Sequence, residues 1–139
     1  MDEINIALNE HNQIVSPQFH DSKISKFVFL DDEVKLYFKL VDGECLCVSF
    51  AGQLLLLCDD LREGNIVFEI IVETGELEDY ALLNKLYWIS DDSEDEPGRK
   101  HLEAMIGLIK AKEMKVVRIS SSYGFEITMV CKNISVSKT

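Results

Sequence analysis

Few residues in this chain are of types that do chemistry, and their spacing settles most of what they could do. His20-Asp21-Ser22 places a base, an acid and a hydroxyl in consecutive positions. A hydrolytic triad needs the base on the nucleophile and the acid on the base, in line. Neighbours in an extended chain point to opposite faces, so these three cannot form that line. No Gly-x-Ser-x-Gly elbow or phosphate-cradling glycine pattern accompanies them. Asp21 and Ser22 are expected instead to tie down backbone donors at a strand entrance.

Cys45-x-Cys47 sets two sulfurs on one face of a strand, which Cys58 could approach. Zinc sites pair their ligands more tightly, and His11, His20 and His101 are scattered. With Cys131, the four cysteines read as reduced packing thiols. The carboxylates are abundant, but no pair is singled out by spacing for acid–base work. The expectation is therefore no catalytic residue, no cofactor and no metal.

One segment stands apart. Glu76, Glu78, Asp79, Asp91, Asp92, Glu94, Asp95 and Glu96 surround Tyr80, Tyr87 and Trp88. Aromatic anchors ringed by charge are how a protein steers an oppositely charged partner and then buries apolar area against it. These eleven residues are the expected partner-binding surface; the alternative is a solvated loop beside core aromatics. Charge is polarised along the chain. Residues 76–97 hold eight acids and one base, net −7, whereas 98–139 hold eight bases and three acids, net +5. The whole chain, at −11, would be repelled by nucleic acid and by anionic membranes, so a basic protein is the natural complement.

The elements that must display this segment follow from periodicity. At 139 residues, 47% hydrophobic and 28% charged, the chain suits a single domain over 1–139 with one core. It opens without a basic leader, and no apolar run nears the roughly 18 residues of a membrane span, so a cytoplasmic location is expected. Residues 24–50 alternate apolar and polar around Asp31-Asp32 and Asp42-Gly43, predicting a three-stranded antiparallel meander. Residues 66–72 predict a largely buried strand, with Ile66, Phe68 and Ile70 on one face. Residues 76–87 have near-helical spacing with Thr74 as N-cap, and 90–98 read as a mobile loop. Leu102, Met105, Ile106 and Ile109 predict a helix over 99–114, with Pro97 in its first turn and Lys110, Lys112 and Lys115 near its C-terminal end. Residues 115–119 and 125–136 return to strand, and Ile4, Ile6 and Leu8 suggest a short edge strand. The fold class is α+β, mainly antiparallel sheet packed by one principal helix.

Phe19-His20-Asp21-Ser22-Lys23-Ile24, Asp42-Gly43 and Leu61-Arg62-Glu63-Gly64-Asn65-Ile66-Val67, each at a strand entrance or turn, give residues 19–72 a resemblance to bacterial immunity proteins. Those are encoded beside polymorphic or contact-dependent growth inhibition toxins. Ser122-Tyr123-Gly124 before a strand is a looser echo. The resemblance implies a non-enzymatic cytoplasmic protein that binds and neutralises a cognate, basic, nuclease-like toxin C-terminal domain. It carries over no functional residue, because such proteins share scaffold rather than toxin-facing surface. The alternative expectation is a small-ligand or homo-oligomeric binding module whose acidity serves solubility.

Overall fold

The computed structural model describes residues 3–52, 55–59, 65–77, 80–86, 96–122 and 124–139. In chain order the elements are β1 (Glu3–Ile4), β2 (Ala7–Leu8), β3 (Ile14–Ser16), β4 (Lys23–Leu30), β5 (Glu33–Lys39), β6 (Cys45–Ala51), β7 (Leu55–Asp59), β8 (Val67–Glu73), α1 (Ala81–Leu86), α2 (Glu96–Lys110), β9 (Lys115–Ser121), β10 (Glu126–Cys131) and β11 (Asn133–Lys138). The architecture is α+β, dominated by antiparallel sheet, with α2 as its one long helix. No helix among the described residues is long and apolar enough to cross a membrane.

Two sheets make the body, ordered β1-β11-β6-β5-β4 and β7-β10-β9-β8, and the β2–β3 hairpin flanks them. The expected meander is β4-β5-β6, in register from Lys23↔Lys39 to Leu30↔Glu33 and from Glu33↔Ala51 to Lys39↔Cys45. Its alternation is clear because the first sheet is covered on one face: Val34, Leu36, Phe38, Leu46, Val48 and Phe50 are buried, while Lys35, Tyr37 and Ser49 face outward.

The second sheet is covered on both faces. Ile127, Met129, Cys131, Val117 and Ile119 join the core between the sheets. Val130 and Val116 face the other way, into a second core with Leu83, Leu86, Leu102, Met105 and Ile109 of the helices. The runs 55–58, 116–117 and 129–131 are continuously apolar for this reason.

β6 and β11 pair in the first sheet and β7 and β10 in the second, so the chain passes from one sheet to the other after β6 and again between β10 and β11. At the corner the Lys132 N–H donates to the carbonyls of Ala51 (2.9 Å) and Gly52 (3.1 Å). Gly52 has φ +90°, and a Cβ built there would lie 2.6 Å from the Cβ of Lys132. Only glycine meets both conditions. The single closing strand expected over 125–136 is thus two strands in different sheets, turned at Lys132.

Other expectations shift with long-range contacts. Strand β8 carries a bulge between Val67 and Glu69, so Val67, Ile70 and Val72 enter the core and Phe68, expected to share a face with Ile70 in a largely buried strand, is expelled. Thr74 does not cap a helix, since α1 starts at Ala81; its hydroxyl instead donates to the Met114 carbonyl at 2.8 Å. Helix α2 begins at Glu96, placing 96–98 in its first turn rather than in a loop, with Pro97 where its missing N–H costs nothing. It ends at Lys110 rather than 114. Lys112 takes φ +63°, Glu113 N–H bonds the Leu108 carbonyl and Lys112 N–H the Ile109 carbonyl, a Schellman closure with lysine where glycine is usual. Of the three lysines assigned to the helix C-terminus, Lys110 is in the last turn, while Lys115 belongs to β9.

Candidate functional site

The segment between β3 and β4 is held by its main chain. Asp21 N–H donates to the Val67 carbonyl and Val67 N–H to the Ser22 carbonyl, each at 2.8 Å, and Ile24 N–H donates to Asn65 at 3.1 Å. Ser22 is fully buried and its Oγ has no hydrogen-bond partner among the described residues. The expected pinning of this strand entrance is therefore real, but backbone groups rather than the Asp21 and Ser22 side chains make it. No Ser–His dyad forms.

His20 stands outward from this pinned segment. Its Nδ1 donates to the Phe68 carbonyl at 2.9 Å, its ring meets the Phe68 ring edge-on at 5.7 Å, and its Nε2 lies 3.5 Å from Asp21 Oδ2. The imidazole forms a wall shared by two open clefts. One, of about 460 Å³, runs to the β5–β6 turn and is lined by Asp21, Asp42 and Glu44 beside Pro17, Leu40 and Val41. The other, of about 210 Å³, lies between Val15 and Phe68 and takes Glu69 on its rim. Among the described residues, no lysine or arginine lines either cleft. Val41 is 75% exposed and Phe68 46% exposed, so apolar surface is offered beside carboxylates. Such an arrangement suits a basic, partly apolar group, and no Ser, Thr or Cys is among the described lining residues.

Of the eleven residues expected to bind a partner, Glu78, Asp79, Tyr87, Trp88, Asp91, Asp92, Glu94 and Asp95 lie outside the described residues. Glu76 is exposed, and Glu96 is the first residue of α2. Tyr80 packs against the helix-side core, its hydroxyl accepts the Leu77 N–H at 3.2 Å, and the Lys110 ammonium sits 5.7 Å from its ring centroid. Its ring is thus already part of the packing.

The cysteines separate by layer. Cys45 and Cys47 share the outer face of β6 as their spacing requires, Cys45 exposed and Cys47 buried. Cys58 belongs to the other sheet and faces the core between the sheets, so the three do not converge. Among the described residues no group of three His, Cys, Asp or Glu side chains could hold a metal ion. Burial pushes the Cys58 thiol up, with the Asp59 charge adding to it, and pushes Cys131 up to about 12. The Tyr37 phenol is raised by its hydrogen bond to the Cys47 thiol.

Sequence periodicity did not single out Val41, Phe68, Phe29 and Leu30, which the fold leaves exposed. For Val41 the signal was its place beside the Asp42-Gly43 turn; for Phe68 there was none, because a bulge decides its face. Scans against protein-family models, curated proteins and solved structures found no match to this chain.

Proposed function

We propose that this chain is an immunity-type inhibitor that binds a basic toxin domain and blocks it through an acidic surface. The observation that carries the reading is charge segregation, with eight acids and one base in residues 76–97 of a chain at −11. Long-range attraction of that size speeds encounter with a basic partner and disfavours nucleic acid. Tyr87 and Trp88, between the two acid clusters, supply the apolar anchors. The clefts beside His20, rimmed by carboxylates and with no lysine or arginine among their described lining residues, extend the same electrostatic preference to a second part of the surface. The resemblance of residues 19–72 to immunity proteins points the same way.

The test is co-purification of the native chain from its own strain. A stoichiometric complex with a basic toxin domain encoded in the neighbouring reading frame is the expected result. Recovery without any basic partner, under conditions where that toxin is produced, would count against the proposal.

A further inference from the structure

We propose that the free edge of β4 pairs with β4 of a second copy of this chain, antiparallel and two-fold symmetric, joining the two first sheets into one. This inference does not rest on toxin binding. Among the described residues, strand β4 is the last strand of its sheet, and the contacts along its outer edge are confined to its first residues, at the Lys23↔Ile66 bridge and the Ile24 N–H bond to the Asn65 carbonyl. Soluble proteins blunt such edges with charges, prolines or bulges. Here the bulge is confined to Ile24–Lys26, and the next four residues are Phe27-Val28-Phe29-Leu30. Phe29 is 63% exposed and Leu30 51% exposed, and the Phe27 and Phe29 rings are stacked, centroids 6.4 Å apart with 12° between planes.

The hydrogen-bonding geometry selects the register. Leu30 and Glu33 flank the two-residue Asp31-Asp32 turn and form the bonded pair of the hairpin, so the N–H and C=O of Phe29 and Phe27 point away from β5. Pairing about Val28 then sets Phe27 of each copy opposite Phe29 of the other. Four main-chain hydrogen bonds form, and the existing ring stack extends into four rings across the axis.

Charge identifies the occupant as a second copy. Lys23 and Lys26 lie at one end of the strand and Asp31 and Asp32 at the other. An antiparallel mate of the same sequence brings each basic end beside the partner's acidic end, whereas parallel pairing would oppose like charges. A surface complementary to itself under a two-fold is the requirement of an isologous dimer. The net −11 of each copy works against association, so the dimer is a concentration-dependent one.

Sedimentation equilibrium of the full chain tests this directly. The expected mass rises from 15.8 kDa toward twice that value as concentration climbs from low-micromolar to near-millimolar. Phe29→Glu, at an exposed position, abolishes the rise while leaving the thermal midpoint of the dilute protein unchanged. Val28→Lys, which sets two ammonium groups together on the axis, does the same and decides the matter if the first variant folds poorly. Lys26→Glu and Asp31→Lys each weaken the dimer alone, and together restore it. A wild type that stays monomeric throughout overturns the proposal, including the case in which the edge is taken only by another protein's strand. So does a dimer that survives both Phe29→Glu and Val28→Lys.

Discussion

Gly52 ties two sheets together at one residue. Its φ of +90° and the 2.6 Å approach of a would-be Cβ to the Lys132 Cβ are separate penalties, one on the backbone and one on packing. A left-handed conformation costs a side chain about 1–2 kcal/mol and overpacking about 1–3 more, so Gly52→Ala is expected to lose about 2–5 kcal/mol in denaturant unfolding. An alanine variant as stable as the parent would mean that the corner does not need glycine. The buried thiols make a second residue-scale prediction, in pH. Below pH 9 the Cys131 thiol is protonated in both folded and unfolded chains. Between pH 9 and about 12 the unfolded chain gives up that proton while the native chain keeps it, so stability falls as pH rises. Cys58 adds in the same direction. Cys131→Ala should flatten the slope of unfolding free energy against pH in this window, and an unchanged slope would show that other groups set it.

At the scale of elements, α2 carries a removable weakness. Gly107 lies in its exposed interior, and a Cβ there would meet nothing within 4 Å. Gly107→Ala should therefore stabilise the chain by about 0.5–1 kcal/mol, read as a higher thermal midpoint with unchanged far-ultraviolet circular dichroism. A loss of stability would place an unseen contact on that face. The elements also separate what periodicity could reveal from what it could not. The β4-β5-β6 meander and the face of α2 were legible because each is wet on one side, which forces alternation at period two or 3.6. The second sheet was harder to read, since cores on both faces make residues 55–58 and 116–117 apolar without alternation. The turn at Lys132, the Thr74 bond to Met114 and the bulge that expels Phe68 depend on residues far away in sequence, so no local window contains them. Strand order is likewise non-local: it makes Phe29 an edge residue, while Phe38, in the same alternating pattern, is buried.

For the whole molecule, the electrostatic part of the candidate site was legible from composition along the chain, because charge sums need no geometry. The clefts flanking His20 were not, since they are built from loops 17–21 and 40–44 that meet only in the fold. The central claim is that this polarised acidity recruits a basic toxin domain. Its most direct test is the association rate between the chain and the toxin domain encoded beside it, at low and high ionic strength. The comparison is with a variant in which Asp91, Asp92, Glu94, Asp95 and Glu96 are replaced by Ser or Asn. The account predicts fast association for the native chain that falls steeply with salt, and an association rate for the variant lower by about tenfold or more with a shallower salt dependence. No association, or a rate and salt dependence identical in the two proteins, would contradict it.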